Sequence, residues 1–185
     1  EWDDFIQAIS NCFWEDHKKK KVTVSDTQLI FRRDVKKWDE WIDDGFKNQY
    51  IDDCDKYYKS HDRCSIVIQG NPGTGKSTFV HDVITRKKWR AIICSYSEIN
   101  KMVSHGFSKI VFEVVRPDVI WIDDIDRLTP DKLSALLDLF ECKGMPRFVM
   151  TTNNYMKLPS AFRRSGRVDF IMTFDHPSEE VINKL

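Results

Sequence analysis

Apolar residues along the chain follow two rhythms. Short unbroken runs bounded by turn residues recur: Ser65-Ile66-Val67-Ile68-Gln69, Ala91-Ile92-Ile93-Cys94-Ser95, Val119-Ile120-Trp121-Ile122, Phe148-Val149-Met150-Thr151-Thr152 and Asp169-Phe170-Ile171-Met172-Thr173-Phe174. Such runs predict strands buried on both faces, as in a parallel sheet. Between and before them, apolar positions take helical spacing: Trp2, Phe5, Ile6, Ile9 and Phe13; Val35, Trp38, Ile42 and Phe46; Leu133, Leu136, Leu137 and Phe140. These predict an N-terminal helix closed by Lys18–Lys21, a helix over Arg33–Phe46, and one over Asp131–Phe140 entered through Pro130. Further helices are expected over Tyr50–Ser60, from Thr78 to Thr85, over Glu98–Val115 with a break near Ser104-His105-Gly106, and briefly over Leu158–Arg164. Val22–Val24 and Gln28–Phe31 predict a hairpin turning through Ser25-Asp26-Thr27. Strands alternating with helices imply an α/β three-layer sandwich on a five-stranded parallel sheet. A mostly helical extension over residues 1–30 precedes it.

One segment adds chemistry to that pattern. Gly70-Asn71-Pro72-Gly73-Thr74-Gly75-Lys76-Ser77-Thr78 fits the phosphate-loop spacing G-x-x-x-x-G-K-[ST] at every fixed position, between a predicted strand and a predicted helix. Several backbone N–H groups must point inward together to hold a polyphosphate, and glycines allow the loop to do so. Lys76 would bridge the β- and γ-phosphates, the Ser77 hydroxyl would hold Mg²⁺, and Thr78 would touch the α-phosphate at the helix start. Two strands later, Val119–Ile122 delivers Asp123 and Asp124 at its C-terminal end, the edge of a parallel sheet where ligands bind. Asp123 would hold the metal's hydration shell, and Asp124 would orient or deprotonate a water. The strand Phe148–Thr152 ends in Asn153-Asn154, and an amide there can reach both a γ-phosphate and a water.

Composition changes this picture little. The 185 residues carry a formal net charge of +0, with 31% of them charged, so no global field draws the chain to nucleic acid or to an anionic membrane. Local basic segments remain: Lys18–Lys21, as solvated surface or as a nucleic-acid or lipid contact, and Arg86-Lys87-Lys88-Trp89-Arg90, as a solvated turn or a nucleic-acid contact. Cys12, Cys54, Cys64, Cys94 and Cys142 are odd in number and show no C-x-x-C spacing, so an intracellular, reducing compartment is expected. No apolar run reaches transmembrane length. The chain opens on Glu1 and stops at Leu185, as an excerpt of a longer protein would.

Taken together, these segments resemble the AAA+ ATPases, and the AAA clade among them. Ile122-Asp123-Asp124-Ile125-Asp126 is similar to that family's Walker B run, and Thr151-Thr152-Asn153-Asn154 to its sensor 1. Leu158-Pro159-Ser160-Ala161-Phe162-Arg163-Arg164-Ser165-Gly166-Arg167-Val168-Asp169 is similar to its second region of homology. Leu133–Asp138 with Met150–Asn153 is most similar to the Bcs-type mitochondrial complex III assembly ATPases. The resemblance implies an AAA+ large subdomain over residues 31–185, with the helical lid absent from this chain. It implies ATP with Mg²⁺ as ligands, and a homo-oligomeric ring, hexameric or heptameric. Such a ring would couple ATP hydrolysis to remodelling or translocating a macromolecule, protein or nucleic acid.

It also implies that Asn153 is sensor 1 and that Arg164 and Arg167 are arginine fingers for the neighbouring subunit's γ-phosphate, where a guanidinium neutralises charge developing in the transition state. Two departures stand out. Asp124 occupies a position where the family has Glu, which points to slow hydrolysis. The stretch Lys101–Gly106 lacks the aromatic of a polypeptide-gripping pore loop. Two other readings remain open at this level: a superfamily 3-like viral replication helicase, and a nucleotide-gated assembly scaffold with little hydrolysis.

Overall fold

The computed structural model describes residues 7, 11, 21–25, 28–32, 46–94, 99, 115–141, 144–164 and 166–175. In chain order the elements are β1 (Lys21–Ser25), β2 (Gln28–Arg32), α1 (Phe46–His61), β3 (Ser65–Gly70), α2 (Lys76–Lys87), β4 (Ala91–Cys94), β5 (Val119–Ile122), α3 (Pro130–Glu141), β6 (Arg147–Thr152) and β7 (Phe170–Phe174). Single 3-10 turns follow β5 at Ile125–Arg127 and β6 at Tyr155–Lys157.

The strands lie in the order β2-β1-β4-β5-β6-β3-β7. From β4 to β7 every neighbouring pair is parallel, so the expected five-stranded parallel sheet is present. The hairpin read from Val22–Phe31 is there too, and it extends the sheet: β1 pairs antiparallel with β2 and parallel with β4, with Val22 opposite Ile92.

The double-faced burial follows from the period of two along each strand. Val67, Ile120, Ile122, Phe148 and Met150 join Leu133, Leu136, Leu137 and Phe140 of α3 in one core. Their strand neighbours Ile66, Ile68, Val119, Trp121 and Val149 join Phe79, Val80, Val83 and Ile84 of α2 and Ile51 and Cys54 of α1 in the other. A strand such as β5, with all four residues buried, can therefore only sit in the middle of three layers.

A clamp of charge and aromatic rings closes the edge where β4, β5 and β6 begin. Arg147 lies over the rings of Tyr58 and Trp89, at 4.0 and 4.8 Å to the ring centroids. It pairs with Asp55 at 3.0 Å, and Lys87 pairs with Asp55 at 3.1 Å. Arg90 pairs with Asp118 at 3.1 Å, and Arg86 with Asp82 at 2.6 Å. Trp89, Arg86, Lys87 and Arg90, which the sequence offers as a possible nucleic-acid platform, are thus engaged within the domain.

One predicted element is corrected. Leu158–Arg164 is not a helix but two overlapping turns, with Phe162 N–H donating to Pro159 O at 2.9 Å and Arg163 N–H to Ser160 O at 3.1 Å. Leu158 is extended (φ −66, ψ 150), the conformation that a following proline enforces. The helix expected over Arg33–Phe46 lies outside the described residues except for Phe46, where α1 begins. Most of the N-terminal helix and of the 98–115 segment also lies outside them.

Gly70 closes β3 opposite Phe174 of β7. A Cβ on Gly70 would stand 2.2 Å from the Phe174 carbonyl oxygen. Close packing, as well as loop conformation, therefore demands glycine at this position. Gly70→Ala is expected to lower the melting temperature by roughly 2–12 °C, from an overpacking cost of about 1–3 kcal/mol at about 2–4 °C per kcal/mol. Thermal denaturation checks this, and an unchanged midpoint would refute the contact.

Candidate active site

The loop after β3 and the start of α2 form a cradle. Gly73 (φ 81) and Gly75 (φ 86) both take left-handed backbone that a side chain resists. Thr74 is buried and donates its hydroxyl to Asn71 O at 2.8 Å, tightening the turn, while Asn71, Pro72 and Gly73 stay exposed. Gly75 caps α2 without any side-chain hydrogen bond, and no acidic residue occupies the first turn. The first N–H groups of α2 therefore face the loop unclaimed by a side-chain cap, as an anion site requires. Lys76, Ser77 and Thr78 make the first turn of that helix.

Lys76 is 7% exposed. Its ammonium donates to Gly70 O at 2.7 Å, to Asn71 O at 2.9 Å and to Asn153 Oδ1 at 3.4 Å, using all three protons. Asn153 is fixed from its other side, since its N–H and Nδ2 donate to the two oxygens of Asp126 at 3.3 and 3.4 Å. The amide is thus held between a cation at its oxygen and a carboxylate at its nitrogen, which fixes its orientation.

Asp123 meets three elements. Its Oδ1 accepts from Ser77 Oγ at 3.2 Å and from Thr151 Oγ1 at 2.5 Å, and its backbone N–H donates to Cys94 O at 3.1 Å. Asp124 follows with left-handed backbone (φ 54, ψ 53), and its N–H donates to Thr151 Oγ1 at 3.0 Å. Its carboxylate lies 3.8 Å from Arg127. Burial first, then the neighbouring Asp123 carboxylate, push the Asp124 pKa above the ordinary aspartate range. Asp124 is accordingly a better proton acceptor than a solvated aspartate.

These contacts place Lys76, Ser77, Asp123, Asp124 and Asn153 at the C-terminal edge of neighbouring strands, which is how the sequence grouped them. The donor set suits a nucleoside triphosphate with its metal. Loop amides and Lys76 would hold the phosphates. The Ser77 hydroxyl and Asp123 carboxylate, already within hydrogen-bond distance, would hold Mg²⁺, a cation that takes few protein ligands and leaves the rest to phosphate and water.

Residues 66–176 match the model of the ATPase family associated with various cellular activities (AAA). The chain belongs to the AAA ATPases. It is an ATP-hydrolysing P-loop enzyme.

Among its relatives, proteasome-activating nucleotidase 1 of Haloferax volcanii is 29% identical over 138 residues, covering 62% of this chain and 34% of that protein. The proteasome-activating nucleotidase of Methanocaldococcus jannaschii is 28% identical over 138 residues, 62% of this chain and 32% of that protein. Cell division control protein 48 homolog B of Arabidopsis thaliana is 28% identical over 141 residues, 62% of this chain and 23% of that protein. The AAA domain described here thus spans about a third or less of the length of these relatives.

In this AAA ATPase the two arginines read as fingers stand elsewhere. Arg164 is exposed and Arg167 half-buried. The turn that carries them is pinned by Phe162, fully buried against α3, and by the start of β3, where Ser65 Oγ reaches Arg167 O at 2.8 Å. From Ser65 to Gly70, β3 rises by about 16 Å at about 3.3 Å per residue. The structure therefore separates Arg164 and Arg167 from Lys76, Asp123 and Asn153 of the same chain by more than an arginine side chain can reach.

Three residues that sequence reasoning passed over belong to these arrangements: Thr151, Asp126 and Asp169.

Proposed function

We propose that this AAA domain works in a homo-oligomeric ring, hexameric or heptameric, whose ATP sites lie between subunits. Lys76, Ser77, Asp123, Asp124 and Asn153 act on the nucleotide from one side. Arg164 and Arg167 of the next copy act from the other. One observation carries the reading: both arginines are presented at the end of the sheet opposite their own phosphate loop, so only a neighbouring copy's nucleotide is within their range. A guanidinium arriving from outside stabilises the charge that spreads over the γ-phosphoryl oxygens.

ATP hydrolysis in such a ring drives rotation of subunits against one another, and the work done is remodelling or translocation of a macromolecule. The names of the relatives, proteasome-activating nucleotidases and a Cdc48 homolog, favour protein over nucleic acid as the cargo. The internal pairing of Arg86, Lys87 and Arg90 supports the same choice. Placement nearest the Bcs-type assembly ATPases rests on the Leu133–Asp138 and Met150–Asn153 segments. An intracellular, reducing location is supported by the buried side chains of Cys54, Cys64 and Cys94, which form no disulfide. No helix among the described residues is long and apolar enough to cross a membrane.

A shared site makes ATP turnover depend on assembly. Turnover per chain is expected to rise with protein concentration over the range where particle mass shows rings forming. Turnover per chain that stays constant while the rings dissociate would overturn the shared site.

A further inference from the structure

Resting on that shared-site reading, we propose that Asp169 is the positioning residue for the arginine-bearing turn. Through Asp169, the β3–β7 ladder ties that turn to the chain's own phosphate loop.

The side chain of Asp169 is 5% exposed. Three donors reach its carboxylate outright, and the Ser65 hydroxyl shares its one proton between this carboxylate and Arg167 O. Ser65 N–H and Ser65 Oγ lie 2.9 and 3.0 Å from Oδ2; Tyr57 OH and Arg63 Nη2 lie 3.0 and 3.3 Å from Oδ1. The residues that hold Asp169 also hold the turn itself. Arg63 Nη1 donates to Gly166 O at 2.8 Å, Ser65 Oγ lies 2.8 Å from Arg167 O, and Arg167 N–H donates to Arg164 O at 3.3 Å. The backbone on which both arginines stand is therefore fixed to the first residue of β3 through one carboxylate and the donors around it.

The far end of the same strand pair is fixed as well. β3 and β7 run in register from Ile66 opposite Phe170 to Gly70 opposite Phe174, and the missing side chain of Gly70 lets the Phe174 carbonyl approach. One end of this short ladder opens into the phosphate loop, and the other carries Asp169 and the arginines. A single hydrogen-bonded strand pair thus joins the phosphate loop to the turn whose guanidinium groups serve the next subunit.

The test uses the full-length protein and rings mixed from two kinds of subunit. Asp169→Asn keeps the volume but sets an NH₂ against donors that need an acceptor. Lys76→Ala disables a subunit's own loop and leaves its arginine turn intact. Asp169→Asn alone is expected to lower ATP turnover by about 10–100-fold through misplacement of the arginines, with Mg–ATP affinity nearly unchanged. Mixing it with Lys76→Ala subunits is expected to raise turnover above the sum of the two alone, because the Asp169→Asn loop then meets an intact neighbouring turn. Arg164→Ala/Arg167→Ala subunits mixed with Lys76→Ala provide the reference.

If the reference mixture recovers turnover and the Asp169→Asn mixture does not, the positioning role is wrong while the shared site stands. If neither mixture recovers, the shared site falls and this proposal with it. Wild-type turnover in Asp169→Asn also overturns it. Should Asp169→Asn fail to fold, Tyr57→Phe, which removes one donor to the same carboxylate, is read in the same mixture. A loss of a few-fold that Lys76→Ala subunits restore supports the role, and no loss or no restoration refutes it.

Discussion

Asp124→Asn is expected to lower ATP turnover by about 10²–10⁴-fold, the range for removing a general base, while Mg–ATP binding stays within a few-fold. The substitution is clean because asparagine shares aspartate's tolerance for the left-handed backbone found at this residue (φ 54). The hydrogen bond from its N–H to Thr151 is also untouched. What disappears is the carboxylate, which burial and Asp123 make more basic than usual. Phosphate release and binding of a fluorescent ATP analogue separate the two effects. Equal loss of binding and turnover would make Asp124 a ground-state ligand. A wild-type protein that binds without releasing phosphate would instead favour the scaffold reading. Asp124→Glu, the residue the wider family carries, is expected to keep turnover within about tenfold, since the added methylene extends the carboxylate toward the same water.

The phosphate loop and the acidic strand end were legible because each is written locally. A loop that must turn its amides inward needs glycine at fixed spacing, and a strand covered on both faces needs an unbroken apolar run. Val119–Ile122 followed by two aspartates states both the position in the sheet and the chemistry at its edge. The contacts that hold these groups in place were not local. Asp126 meets Asn153, and Thr151 meets Asp123, only because β6 pairs with β5 in this register, across an intervening helix. Asp169 finds Ser65 for the same reason, across the β3–β7 pair.

One local signal misled, and it did so physically. Leu158 and Phe162, four residues apart, imitate a helical stripe, yet both are buried from a pair of turns because Pro159 holds Leu158 extended. At Trp89 the sequence leaves a solvated turn and a nucleic-acid contact both open, and the ring's actual partner, Arg147, is concealed by sequence distance.

Replacing Arg164 and Arg167 together by alanine is expected to lower kcat by about 10³–10⁵-fold, the span for losing an arginine finger. The affinity of the isolated chain for Mg–ATP and its melting temperature should hardly move. Arg164 is solvent-exposed, and the contact of the Arg167 guanidinium to Ala161 O is a long one, at 3.4 Å. Phe162 and Asp169 fix the turn independently of either guanidinium, so the fold has little to lose. Lysine at both positions is expected to restore only part of the rate, because a point charge lacks the planar fork that grips two phosphoryl oxygens at once. The kinetic pattern decides between roles. A fall in kcat at constant nucleotide affinity marks an interaction made in the transition state, whereas a rise in KM at constant kcat would mark uniform binding. A drop in melting temperature matching the lost activity would reduce the two arginines to surface structure. The β3 rise of about 16 Å separating them from their own loop makes the first pattern attainable only across a subunit boundary, so the loss should appear in assembled rings and vanish from the residual turnover of dissociated chains.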